Sequence, residues 1–411
     1  MTPSPPRRPT SVDHESIRRD RINVLLPRIL KEQGIDAWLT FTRENTPDPI
    51  LAVFGIDHIV ARGAFLFARK GAPFIKTAIA ASYDVDPIKK TGLFDEVIAY
   101  KSEGVKPHLR KVMDGLTPDR IAVNMSRDVT IADGLTVGLR QYLDETLGEH
   151  TKKFVSAERL VVSLLARKLP AEIAALEEAV TGTQRIIAEA LTSERVKPDV
   201  TTERALADWM KARAKELGYE VPFESVVVGP ARGHSDPTDR VIRRGDVIRI
   251  DWGASFGGYC GDIQRTAYVL KPGENKAPAW LEKLFAATLK ANRAALAALR
   301  PGNTGLDVDT AGRGSLVADG YPEYPHGTGH AIGLKVHDVG PLLGPDWRER
   351  YGDAVRFTIE PDQVFAVEPL IYFKPPEIDY EIHTGLEEDA VVGPDGARCI
   401  GTPQTSVILI R

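Results

Sequence analysis

The chain has 411 residues, 43% hydrophobic and 27% charged. That composition suits a soluble globular protein, and the length exceeds one ordinary core, so two domains are expected. A net charge of −4 excludes the strongly basic surface that nucleic-acid binding needs. Cys260 and Cys399, the only cysteines, are too few for a disulfide framework, stand at no metal-binding spacing, and read as buried thiols in a reducing compartment.

The opening MTPSPPRRPTSVDHES lacks the apolar core of a signal peptide, and residues 1–14 read as a Pro-rich disordered tail. No segment reaches the roughly 18–20 apolar residues of a membrane span, so a cytoplasmic protein without a membrane partner is expected. Residues 15–168 form the first expected domain. Strands are predicted at Ala37–Phe41, Ala64–Ala68, Pro73–Lys76 and Ile121–Val123, and helices at Ile17–Gln33, ended by Gly34, and Pro107–Gly115. This alternation describes a small α/β domain without a nucleotide-binding fingerprint.

Residues 169–411 form the second expected domain. Ile173, Leu176, Val180, Ile187 and Leu191 recur at helical spacing behind Pro170 and Glu172, the marks of a helix start. From Phe223 the chain turns strand-rich, with ESVVVG, GDVIRIDWGA and GDIQRTAYVL. A helix is predicted over Ala279–Leu299, stopping before Pro301–Gly302, and strands over Val364–Val367 and Thr405–Ile410.

The chemistry-bearing residues lie in this second half. In GDVIRID, Ile248 and Ile250 alternate with Arg249 and Asp251, the period of a half-buried strand. A turn near Phe256–Gly257 sets Asp251 directly opposite Asp262, at about 4.5–5.5 Å between Cβ atoms. Carboxylates that close repel each other unless one binds a proton or a metal lies between them; on this segment alone, exposed hairpin aspartates are the alternative. His326, His330 and His337 fall within twelve residues of HGTGHAIGLKVHD, a density that packing alone does not explain. Glu368 follows the apolar run Val364–Val367, where a strand end can present it to a cavity. The GLEED segment offers Glu387, Glu388 and Asp389, and by itself reads as a solvated turn. Four carboxylates and an imidazole together suit two divalent ions such as Mn²⁺, Co²⁺ or Zn²⁺.

In this order the motifs DWG…GD, HGTGHxxGxxVHD and VEP resemble the pita-bread metallopeptidase family, which includes methionine aminopeptidase, aminopeptidase P and prolidase. The resemblance spans Pro170 to Arg411, and the two-domain layout resembles the branch with a creatinase-type N-terminal domain. It implies an α+β protein: a pita-bread catalytic domain behind a smaller α/β domain. It also implies that Asp251 holds a first metal, His330 and Glu368 a second, and that Asp262 and Glu387 bridge both. Glu387 is preferred to Glu388 because Leu386–Ala390 fits the family frame hydrophobic–Glu–acidic–any–hydrophobic.

By the same resemblance His337 contacts the scissile carbonyl, His326 is a second pocket histidine, and His234 closes over the proline end of the substrate. Tyr372 is a pocket tyrosine and Glu368 the proton carrier. The implied reaction is hydrolysis of an Xaa-Pro peptide bond with two divalent ions per subunit, manganese ahead of cobalt or zinc. A homodimer through the N-terminal domain is implied too, with Trp38 and the Arg43–Asp48 loop as its reaching segment. The chain departs from the family at Leu370, where Gly usually follows VEP, at Gly385, where Arg is common, and in the longer stretch Gly340–Gln363. Arg348, Arg350 and Arg356 in that stretch are then the candidates for binding a substrate carboxylate, and a prolidase-like Xaa-Pro dipeptidase is the leading expectation. Aminopeptidase P action on longer peptides, a metal-bearing lyase of the same fold, and a non-catalytic binding module are the alternatives.

Overall fold

The segment Ala37–Arg43 is buried at every position but the last, as a strand covered on both faces must be. It is β1 of a six-stranded sheet with β2 (Arg62–Ala68), β3 (Ile75–Ala81), β4 (Glu96–Tyr100), β5 (Ile121–Val123) and β6 (Phe154–Ser156). The spatial order is β4-β3-β2-β1-β5-β6; β2 runs antiparallel to β1 and β3, and the remaining pairs are parallel. One face packs Trp38, Phe54, Phe65 and Phe67 against helical Leu26 and Ile29, and the other packs Leu39, Phe41 and Leu66 against Leu109 and Leu139. The computed structural model describes residues 11–69, 74–233 and 235–411. Asp13–Leu165, with this sheet, form one compact unit, and Ala166–Arg411 belong to the other.

Within the first unit three expectations change. Pro73 lies outside the described residues, and the strand expected there starts at Ile75. The helix expected over Ile17–Gln33 is His14–Asp20, then a π-helical turn at Arg21–Leu25, then Leu26–Glu32. Pro27 is the physical reason: it has no N–H for the preceding turn, and a widened turn absorbs the missing bond. Trp38 is fully buried, donates from its indole to Asn124 Oδ1 at 2.8 Å, and packs on Phe54 and Phe67. A core tryptophan cannot be a segment that reaches towards a partner.

The second unit opens with the expected helix, Pro170–Ala190. Pro170 needs no hydrogen-bond acceptor at the first position, and Glu172 accepts the Leu169 N–H at 2.8 Å. The chain continues through β7 (Glu220–Val228), β8 (Val247–Phe256), β9 (Tyr259–Cys260), β10 (Ile263–Val269), β11 (Gly329–Ala331), β12 (Val364–Val367), β13 (Leu370–Phe373), β14 (Ile382–Gly385), β15 (Glu388–Gly393), β16 (Gly396–Cys399) and β17 (Ile408–Ile410). One sheet has the order β17-β10-β8-β7 with β9 on β8, a second has β11-β12-β15-β16, and β13 pairs β14. Helix Ala279–Ala298 packs on Gly305–Ala318. The latter, like Glu203–Glu216, was not expected, although Thr304 and Asp307 form a capping box and Thr202 caps the other.

The terminal strand is shorter than the expected Thr405–Ile410. Gln404 accounts for it: its carboxamide accepts from Thr266 N at 3.2 Å and donates to Thr266 O at 2.7 Å, where strand backbone would otherwise pair. Among the described residues no helix is long and apolar enough to cross a membrane.

Gly329 on β11 pairs with Val367, and a Cβ there would stand 2.0 Å from the Ala366 carbonyl oxygen. Gly329→Ala is therefore expected to destabilise the second unit by about 1–3 kcal/mol, read as a lowered melting temperature of the metal-free protein.

Candidate metal centre

The hairpin of β8 and β10 carries both aspartates, and its register differs from the expected one. Phe256 pairs with Tyr259, Ser255 with Cys260, and Asp251 with Gln264, so the turn lies one residue later, at Gly257–Gly258. Those two glycines have φ of 54° and 81°, the consecutive positive values a tight hairpin turn requires and Phe256 could not supply. Asp262 is thus diagonal to Asp251 rather than directly opposite, two positions from Gln264 and on the same face. It has left the ladder, and its N–H donates to Asp389 Oδ2 at 2.8 Å.

One strand pairing positions two more groups. His330 faces Ala366 across β11–β12, and Glu368, just past the end of β12, donates its N–H to Thr328 O at 2.8 Å. Glu387 is bridged to Gln264 immediately before β15. Strand alternation then sorts the three adjacent acids: Glu388 turns away to Arg265, with Nη2–Oε2 at 3.0 Å, and Asp389 returns to the side of Asp262. All three are at most 1% exposed, so GLEED is no solvated turn.

Asp251, Asp262, His330, Glu368 and Glu387 line one cavity of about 840 Å³, together with His326, His337, Arg350 and Tyr372. Ligand atoms of Asp262, His330 and Glu387 lie within 4.8 Å of one another. His330 Nε2 is 3.6 Å from both Asp262 Oδ2 and Glu368 Oε1. Its Nδ1 is 3.2 Å from the Ala331 carbonyl; donating there leaves the Nε2 lone pair turned to the carboxylates.

Crowding sets the proton affinity of these acids. Burial, reinforced by the charge of Asp251, pushes the Glu368 carboxyl up to about 8, against the pull of Arg249. Burial holds Asp262 and Glu387 far above the usual carboxylate range, with Asp251 and Asp262 respectively adding to it. Asp262 Oδ1 is buried without a hydrogen-bond partner. Divalent cations fit this donor set: they supply the charge that the acids otherwise take up as protons.

His337 stands with its ring 4.1 Å from that of His330, on a loop tied down by Lys168 Nζ to Asp338 Oδ2 at 3.0 Å. His326 Nδ1 lies 2.7 Å from Gly327 O, and Tyr372 meets His383 edge to face at 5.5 Å. His234 lies outside the described residues. The three candidate arginines separate. Arg348 pairs with Asp353 at 2.7 Å and Arg356 with Asp346 at 2.6 Å, and neither lines the cavity. Arg350 does line it, lies over the Trp347 and Tyr351 rings, and donates to Pro325 O at 2.7 Å.

Four further residues shape the site without having been singled out in the sequence. Arg249 and Gln264 line the cavity. Asp309 accepts from Thr328 N and Oγ1, while Arg313 forks onto both its oxygens, which fixes the backbone between His326 and His330. The available signal was their i,i+4 spacing on one helix.

The raised acids make a pH prediction for metal-free protein. The folded state keeps the Glu368 proton between its ordinary pKa of 4.5 and about 8, whereas the unfolded state gives it up. That stabilisation is complete below the ordinary value and disappears as pH rises through about 8. The melting temperature under chelator is therefore expected to fall over this window, and added divalent metal is expected to abolish the fall.

Residues 174–396 match the model of metallopeptidase family M24. The chain is 31% identical to the uncharacterized peptidase YqhT of Bacillus subtilis over 62% of this chain and 68% of that protein. It is 33% identical to the probable dipeptidase PepE of Mycobacterium tuberculosis over 58% and 59%. The X-Pro aminopeptidase of Thermotoga maritima superposes with a TM-score of 0.61 at 25% identity, over 93% of this chain and 99% of the other. Dipeptidase PepE of Mycobacterium ulcerans superposes with a TM-score of 0.67 at 22% identity, over 97% and 99%. The fold is thus the pita-bread arrangement preceded by an N-terminal domain, and the chain belongs to metallopeptidase family M24.

Proposed function

We propose that this metallopeptidase cleaves the Xaa-Pro bond of dipeptides, with two divalent ions, manganese foremost, held by Asp251, Asp262, His330, Glu368 and Glu387. The observation that carries the reading is that these five side chains line one cavity together with a single arginine of the long segment, Arg350. The names borne by similar proteins, X-Pro aminopeptidase in Thermotoga maritima and dipeptidase in Mycobacterium, support the substrate class.

Bound ions supply an activated water and polarise the scissile carbonyl. The chain's own groups do the rest. Glu368, ionised once cations occupy the site, takes the proton of the attacking water and passes it to the leaving imino nitrogen. His337 donates to the carbonyl oxygen as negative charge builds on it. His326 and Tyr372 line the walls, and Arg350 binds the substrate's C-terminal carboxylate by a charge-assisted hydrogen bond. The segment 340–363 restricts the cavity to short peptides. The protein acts in the cytoplasm as a homodimer joined through Asp13–Leu165; light scattering that finds a fully active monomer refutes that part.

Asp262→Asn and Glu387→Gln are expected to abolish both activity and stoichiometric metal, measured by elemental analysis. His337→Ala is expected to keep its metal and lose about 10²–10³ in kcat. Arg350→Ala is expected to lose about tenfold or more on Xaa-Pro dipeptides and little on Xaa-Pro-Xaa peptides. Equal losses on both, or a wild type that prefers the longer peptides, assigns the protein to aminopeptidase P action instead.

A further inference from the structure

Arg249 stands two residues before Asp251 on β8, so strand alternation puts both side chains on the cavity face. Each is only 3% exposed, and Nη1 donates to Asp251 Oδ2 at 2.9 Å. Nη2 is anchored on Gly233 O at 2.8 Å and Ser225 Oγ at 3.4 Å. The guanidinium is therefore immobile and permanently charged. It lies against a carboxylate that, on the proposed reading, serves a divalent cation. A fixed positive charge in that place opposes the ion.

The facing strand supplies a neutral neighbour to this pair. Gln264 is paired directly with Asp251, and its carboxamide covers Gly385. A Cβ at 385 would stand 1.3 Å from Gln264 Oε1. Gln264 is 1% exposed, and its Oε1, which has no hydrogen-bond partner among the described residues, fills this volume. Gln264 occupies the space beside Gly385, and the guanidinium at Asp251 comes from Arg249.

We propose that Arg249 is the positioning residue of Asp251. By engaging Oδ2 and placing a fixed positive charge beside it, Arg249 holds the carboxylate in one orientation and weakens the binding of the ion that Asp251 serves. The inference rests on the metal-centre reading, and it runs against the usual effect of mutating a site: removing Arg249 tightens metal binding while impairing catalysis.

The test is calorimetric titration of the full-length, metal-free protein with MnCl₂, for wild type, Arg249→Met and Arg249→Lys, with circular dichroism confirming the fold. Arg249→Met is expected to bind one Mn²⁺ per subunit about tenfold or more tightly, because unit charges a few Å apart interact strongly at a protein's effective dielectric. Arg249→Lys keeps the charge and is expected to stay near wild-type affinity. Both variants are expected to lose kcat on Xaa-Pro dipeptides, since neither reproduces the guanidinium fork. Damage to the site loosens metal in both variants; only loss of a repelling charge tightens it in one. Unchanged or weaker binding in folded Arg249→Met overturns the proposal, as does equal tightening in Arg249→Lys. Should Arg249→Met not fold, Arg249→Gln makes the same comparison. A wild type that binds no Mn²⁺ overturns the metal-centre reading itself, and this inference with it.

Discussion

Four carboxylates sharing one buried cavity cannot all be ionised without compensating positive charge, and much of the second unit is arranged around that constraint. Acids beside the cavity that do not face it have partners of their own. Glu388 is held by Arg265, and Asp309 by Arg313 and Thr328. Asp389 accepts the backbone N–H of Asp262. Asp262, Glu368 and Glu387 accept no arginine hydrogen bond among the described residues, and burial, with the charge of neighbouring acids, raises their proton affinities. Three acids without an arginine thus line one cavity, where a divalent ion gains from their charge.

This confinement is achieved with strands. Asp251 and His330 lie within β8 and β11, and Asp262, Glu368 and Glu387 stand at the ends of β10, β12 and β15. Ladder hydrogen bonds fix where each Cα sits, and alternation fixes which face each side chain takes. Gly329 allows β11 to approach β12 closely enough to bring His330 and Glu368 within 3.6 Å.

Sequence periodicity exposed the strands that carry the site, because Ile248 and Ile250 alternate with Arg249 and Asp251. It placed the β8–β10 turn one residue early, since Phe256–Gly257 and Gly257–Gly258 differ only in whether both positions tolerate positive φ. The GLEED acids looked solvated because charge in a sequence does not reveal a buried arginine such as Arg265, which lies more than a hundred residues away along the chain. Arg249 was visible as a polar position on the strand face. Its buried contact with Asp251 was not, because a single sequence does not distinguish a cavity face from a solvated one. Arg348 and Arg356 read the same as Arg350; only the positions of Asp353 and Asp346 separate them.

The group proposed to recognise the substrate carboxylate is held differently from the metal-site residues. Arg350 sits in a short helical turn of the segment 340–363, braced by ring stacking between Trp347 and Tyr351. Changes in such a segment leave the ladder and its charges intact. On the proposed reading, chemistry and selectivity would then rest on different parts of the backbone: a change in the segment 340–363 could alter which peptides fit while leaving the strand-held metal site as it is.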